Sequence, residues 1–141
     1  MRKIRAVIDT NVLRKTLKRS NAEFFIYQAF ESELFEWVVS TEILNEYEEK
    51  LIEFYSVKTA NLVLEILCNA NNVVFTEPYY RWNTIIDDPD DNKFSDLAIA
   101  AGADCVVTYD RHFNVFKQIS FPKLKILKPA QFKKLLQIST Q

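Results

Sequence analysis

Apolar residues recur along this chain in two rhythms. Short runs rich in Val, Ile and Phe, each bounded by polar residues, fall at 4–8, 35–39, 73–75, 105–108 and 124–127. Runs of that length and β-branched content predict buried strands. Between them, apolar positions return at helical spacing, which predicts helices over 12–19, 21–32, 41–55, 57–70, 91–101 and 129–136. The 41–55 helix has the clearest stripe: Ile43, Leu44, Tyr47, Leu51, Phe54 and Tyr55. The 91–101 helix turns Phe94, Leu97, Ala98 and Ala101 inward, and Gly102 closes it. A short turn or helix is expected near 112–118, while 76–89 has no clear period. Strands alternating with helices imply an α/β fold whose mostly parallel sheet is covered on both faces.

Composition narrows the class. With 141 residues, 48% of them hydrophobic, the chain is expected to form one domain over 1–141 with a substantial core. A single Gly rules out a glycine-rich phosphate cradle, so nucleotide-binding loops of that type are excluded. No apolar stretch approaches the roughly 18 residues needed to span a bilayer. The basic start, Met1 to Arg5, precedes an apolar run too short for a signal peptide and broken by Asp9, so the expected setting is the cytoplasm. Cys68 and Cys105 lack metal-type spacing, and a disulfide between them is not expected in a reducing compartment. Net charge is −1, which exerts no global pull on nucleic acid. Charge is nevertheless uneven, with a basic cluster at Arg14, Lys15, Lys18 and Arg19 and an acidic middle.

The acids carry the chemistry. Asp9 and Asp110 each follow an apolar run, which places a carboxylate at the carboxyl end of a buried strand. In open α/β sheets that edge is where ligands bind. The alternative for Asp9 is a helix cap, and for Asp110 an ordinary turn. Asp87, Asp88, Asp90 and Asp91 crowd the start of a helix. One or two acids there answer the helix dipole, but four within five positions repel one another and call for a cation. On the 41–55 helix, periodicity leaves Glu46 and Glu48 tied as pocket candidates, with a solvated face as the alternative. Thr108 is suited to hydrogen-bond a carboxylate, and Asp96 lies within reach of the same edge. His112 is left without a catalytic role. Hard cations such as Mg²⁺ and Mn²⁺ prefer a site of this oxygen-rich kind.

These segments, in this order, resemble the PIN domain family, in particular its bacterial and archaeal branch of toxins from toxin–antitoxin systems, the VapC-like ribonucleases. The resemblance rests on Val7-Ile8-Asp9-Thr10-Asn11-Val12-Leu13, on the run from Val38 to Tyr47, on the run from Asp88 to Ala98, and on the run from Ala101 to Asp110. It spans nearly the whole chain. It implies a three-layer α/β/α fold with a central parallel five-stranded sheet in the order 3-2-1-4-5. It implies Mg²⁺- or Mn²⁺-dependent cleavage of single-stranded RNA, a cognate antitoxin protein as partner, and a homo-oligomer, a dimer. The family register selects Glu46 over Glu48 and Asp91 over Asp90. The carried-over acids are therefore Asp9, Glu46, Asp91 and Asp110, with Asp96 as a frequent fifth metal ligand and Asn11, Ser40 and Thr108 in support. Arg14 and Lys15 stand where small or apolar residues are usual, and Tyr109 where Gly is common.

The expected protein is thus an endoribonuclease. Arg14, Lys15, Lys18 and Arg19 are the candidates for gripping an RNA backbone. Tyr79, Tyr80 and Trp82 are candidates for base stacking or core packing. A phosphatase with a strand-end Asp nucleophile wants a second Asp two residues on, where this chain has Asn11. A non-catalytic RNA-binding or protein-interaction module on the same fold is the rival from another class.

Overall fold

The computed structural model describes residues 2–139. Its centre is a five-stranded parallel sheet in the order β3-β2-β1-β4-β5, the order implied by the family resemblance. The strands are β1 (Ile4–Ile8), β2 (Phe35–Val39), β3 (Val73–Phe75), β4 (Cys105–Val107) and β5 (Ile126–Leu127). The helices are α1 (Thr10–Thr16), α2 (Phe24–Glu31), α3 (Thr41–Phe54), α4 (Val57–Asn69), α5 (Asn92–Ala101) and α6 (Pro129–Ser139). Two 3₁₀ segments, Pro89–Asp91 and Arg111–Lys117, flank α5 and β4. Among the described residues, no helix is long and apolar enough to cross a membrane.

Local chemistry explains most element ends. Ser40 caps α3 by accepting from the Ile43 N–H at 3.2 Å. Gly102 ends α5 at φ 62, a left-handed position that favours glycine. Asn72 is buried and donates to the carbonyls of Phe30 and Phe35, both at 2.9 Å, which ties the entry of β3 to the α2–β2 turn. The rings of Phe30, Phe35, Trp37 and Phe132 pack against one another, so α2 and α6 share a contact on β2.

Some boundaries move from their expected places. The first helix starts directly after Asp9 and stops at Thr16, and α2 begins only at Phe24. The intervening polar residues form hydrogen-bonded turns instead, with Asn21 Nδ2 donating to the Lys15 carbonyl at 2.9 Å. The last strand shrinks from 124–127 to Ile126–Leu127, the two residues that pair with Val106 and Val107 of β4. Cys68 and Cys105 are both free thiols.

Candidate metal centre at the sheet edge

Strand β1 lies between β2 and β4, and Ile8 pairs with Val107. The chain leaves β1 toward one side of the sheet and later returns to build the other, so a crevice opens between the carboxyl ends of β1 and β4. Asp9 and Thr108 are the next residues of these two strands and lie side by side, with the Asp9 N–H bonded to the Val107 carbonyl at 3.0 Å. Asp9 is only 6% exposed. It occupies the cap position of α1, yet its side chain caps nothing. Instead, its Oδ2 accepts from the Thr108 hydroxyl at 2.7 Å. Burial raises the Asp9 pKa, the Thr108 hydrogen bond opposes this, and the charges of Glu46 and Asp110 raise it further. Beneath it, the fully buried Tyr47 donates its hydroxyl to the Ile8 carbonyl at 2.5 Å, which anchors the end of β1.

Thr108 has a second task. Its Oγ1 accepts from the Asp110 N–H at 2.9 Å, so one hydroxyl orients both strand-end acids. Asp110 in turn accepts from the His112 N–H at 2.9 Å, the turn bond that a cap-type Asp makes. Across the crevice, Asp91 also fills a cap position without capping its helix. It leans on Asp110, a contact that is a hydrogen bond only while one of the two carries a proton. Asp91 Oδ2 is sealed from solvent and meets no hydrogen-bond donor. Burial, the Asp110 contact and the charges of Asp110, Asp88 and Asp9 push Asp91 up to about 8. Burial also acts to raise Asp110, but the bond from Asp91, the His112 N–H and the charges of His112 and Arg111 outweigh it and hold Asp110 low.

Asp88, Asp91, Asp110 and His112 present ligand atoms that all lie within 4.8 Å of one another. His112 Nδ1 is 3.0 Å from Asp110 Oδ1 and 3.8 Å from Asp88 Oδ2. Three carboxylates and one imidazole form a donor set that suits a divalent ion, with the oxygen majority favouring Mg²⁺ or Mn²⁺. The unpartnered Asp91 oxygen is the feature that protein groups leave unsatisfied and a cation would satisfy. Asn92 holds the acidic segment in place: its amide bonds the Ile85 N–H and carbonyl, each at 2.9 Å, and the Pro89 carbonyl at 3.1 Å.

Glu46 lies beside this group rather than in it. Its Oε2 accepts from the Thr10 hydroxyl, and its Oε1 is 2.6 Å from Lys93 Nζ. Glu48 is exposed. Asp90 is exposed too and pairs with Lys93 at 2.9 Å. Asp96 is buried, accepts from the Trp82 N–H at 3.2 Å, feels the charges of Arg81 and Glu42, and is not in the group formed by Asp88, Asp91, Asp110 and His112. Ser40 is occupied as the α3 cap, and Asn11 is exposed.

The basic cluster divides. Arg14 stacks its guanidinium 3.9 Å from the centre of the exposed Phe54 ring. Lys15 lies 4.9 Å over the Tyr109 ring, and the Tyr109 hydroxyl donates to the buried Glu23 at 2.5 Å. Two of the unusual residues noted in the sequence, Lys15 and Tyr109, therefore pack on each other. Lys18 and Arg19 remain exposed in the turn after α1. Tyr80, Trp82 and the exposed Phe121 form an edge-to-face ladder with centroid separations of 4.7 and 5.4 Å.

In the sequence, Lys93, His112 and Asn92 carried no site role, and Asp88 stood out only as one of four crowded acids that call for a cation. The signal for His112 was its position two residues after a strand-end Asp, within reach of a turn. Lys93 and Asn92 gave no such signal, because their roles depend on partners from other elements.

Comparison with known proteins follows the same lines. A sequence model of the PIN domain matches residues 5–112. Among curated proteins, no sequence relative matches. Among solved structures, the chain is similar to one in VapBC2 from Rickettsia felis bound to a DNA fragment from their promoter. The TM-score is 0.60 at 14% identity, covering 89% of this chain and 98% of that one. It is also similar to a chain of FitAcB from Neisseria gonorrhoeae, with a TM-score of 0.57 at 16% identity, covering 89% and 98%. A third match, in FitAB bound to a DNA fragment, has a TM-score of 0.54 at 14% identity and covers 88% and 94%. At such identities these likenesses speak for the fold.

Proposed function

The chain belongs to the PIN domain family, and from that premise we propose that it is a divalent-metal-dependent ribonuclease acting on single-stranded RNA, the toxin of a toxin–antitoxin pair. The observation that carries this reading is the sealed Asp91 oxygen, which faces no donor and sits among Asp88, Asp110 and His112. Asp91 and Asp110, with Asp88 and His112 beside them, would hold Mg²⁺ or Mn²⁺. When bound, such an ion lowers the pKa of water and offsets negative charge building on a phosphate.

The protein's own groups do the rest. Thr108 fixes the orientation of Asp9 and Asp110 together. Asp9 brings a negative charge to the floor of the crevice, and its raised pKa makes it a better proton acceptor than an exposed carboxylate. That suits Asp9 to receive the proton of an attacking water while the oxygen of that water bonds to phosphorus and the P–O bond to ribose breaks, the departing ribose oxygen taking a proton from solvent. Lys18 and Arg19, exposed beside α1, are placed to meet phosphates in a salt-sensitive, sequence-neutral way.

A protein partner is part of the proposal. Helices α3 and α4 leave Ile52, Phe54, Val57, Leu62 and Ile66 exposed, an apolar surface of the kind that marks protein contacts. An antitoxin and a second copy of the chain are its two candidate occupants.

The test uses purified protein and several RNAs, with Mn²⁺ and with chelator. Cleavage is expected only with the ion, and Asp9→Asn should lower it by about two orders of magnitude or more. Cleavage that survives both chelator and Asp9→Asn refutes the proposal. Mn²⁺ binding without cleavage of any RNA would instead favour a non-catalytic RNA-binding or interaction module.

A further inference from the structure

One lysine of the chain reaches into the crevice and pairs directly with its acids. Lys93 lies in the first turn of α5, where the helix dipole disfavours positive charge. Its side chain is only 10% exposed, so most of its hydration is gone as well. Both penalties are met by carboxylates: Glu46 Oε1 at 2.6 Å and Asp90 Oδ1 at 2.9 Å. The second Glu46 oxygen is taken by the Thr10 hydroxyl. Glu46 therefore has an ammonium on one oxygen and a hydroxyl on the other.

The opposite half of the crevice is arranged differently. Asp9 has the Thr108 hydroxyl, and Asp110 has the His112 N–H and imidazole. Asp91 has a sealed oxygen without a donor. No Lys or Arg ion pair to Asp9, Asp88, Asp91 or Asp110 occurs among the described residues. The acids of one crevice thus fall into a half with an ammonium in direct contact and a half that no Lys or Arg touches, where Asp110 feels only His112 beside it and Arg111 at longer range.

We propose that the Lys93 ammonium is the resident cation of the Glu46 half, so that the chain takes one divalent ion, at the Asp91–Asp110 half. Lys93 is then a positioning residue: it keeps Glu46 facing Thr10 and keeps a second ion out. This rests on the metal-dependent reading above and adds the number of ions and the residue that sets it.

The experiment is a Mn²⁺ titration of metal-free protein, with free Mn²⁺ followed by electron paramagnetic resonance. Wild type should bind one Mn²⁺ per chain. Lys93→Met should bind two, the second at Glu46 and Asp90 and more weakly than the first. Lys93→Arg should restore one. Glu46→Gln should still bind a single Mn²⁺, with affinity within about threefold of wild type, and it supplies the test if Lys93→Met does not fold. Two ions in wild type overturn this inference and leave the metal-dependent reading standing. A single ion of unchanged affinity in Lys93→Met, or loss of the ion in Glu46→Gln, also overturns it. No Mn²⁺ in wild type removes both.

Discussion

Replacing Asp91 by Asn should stabilise the metal-free protein while weakening its hold on metal. Asp91 meets Asp110 across the crevice, feels Asp88 and Asp9, and has one sealed oxygen without a donor. Raising a carboxyl from 3.8 to about 8 corresponds to about 6 kcal/mol, at about 1.4 kcal/mol for each tenfold change in proton affinity. Asp91 is only half-buried, so solvent screening removes at least half of that. Asp110 is held low by the same contact, which returns a further part. About 2 kcal/mol of destabilisation then remains to be relieved. Loss of a helix-start charge works in the opposite sense by about 0.3–1 kcal/mol. The net gain is about 1–2 kcal/mol, or about 3–6 °C in Tm for a chain of this size.

The sign depends on pH. Because the native pKa of Asp91 lies above its unfolded value, native protein keeps a proton that the unfolded chain releases. The stabilisation this gives is complete below about 3.8 and is lost as pH rises to about 8. The advantage of Asp91→Asn in EDTA should therefore be small at pH 5, grow through neutrality and level off above pH 8. Thermal melting in EDTA across that range, with a Mn²⁺ titration of both proteins, measures it. A lower Tm for Asp91→Asn at every pH, with Mn²⁺ affinity unchanged, would refute the reasoning and leave Asp91 as a helix-start residue.

Three further outcomes are expected. Glu46→Gln should lower RNA cleavage by about tenfold or more while Glu48→Gln changes little, since only Glu46 meets Thr10 and Lys93; the reverse ranking in a cleavage assay would count against the arrangement. Thr108→Val removes the hydroxyl that opposes the raised pKa of Asp9, so the acid limb of the pH–rate profile should move to higher pH, and a buried acceptor left unpaired should cost about 1–3 kcal/mol in denaturant unfolding. His112→Ala should weaken Mn²⁺ binding more than Mg²⁺ binding, because imidazole favours the softer ion; equal losses in two calorimetric titrations would place His112 outside the donor set.

Much of the fold could be read directly from the chain. Short runs such as 4–8 and 35–39, bounded by polar residues and rich in β-branched and aromatic side chains, read as strands, and the helical stripe from Ile43 to Leu51 has a single period. Strand-end acids are legible for the same reason: an apolar run followed by Asp9 or Asp110 states both the strand and the polar residue at its mouth. Sheet order was another matter. Alternating strands and helices allow several orders, and only the ordered acidic segments, through a family likeness, pointed to one. Helix ends moved where polar side chains found turn partners, as Asn21 did with Lys15, because such bonds compete with helix over only a few residues.

The family register had favoured Glu46 over Glu48 and Asp91 over Asp90, but the partners these acids meet belonged to the tertiary structure. Glu46 and Glu48 are equivalent to helical periodicity, and what separates them is Thr10 from α1 and Lys93 from α5. Asp90 and Asp91 are neighbours in sequence, yet one, itself exposed, pairs with the nearly buried Lys93 and the other turns onto Asp110. Asp96 shares a helix with Lys93 but is drawn to the Trp82 backbone. A residue's local pattern reports whether it faces in or out. Which charge or donor it faces is set largely by contacts between distant segments, such as Thr108 with Asp9 and Glu46 with Thr10, and those exist only once the chain has folded.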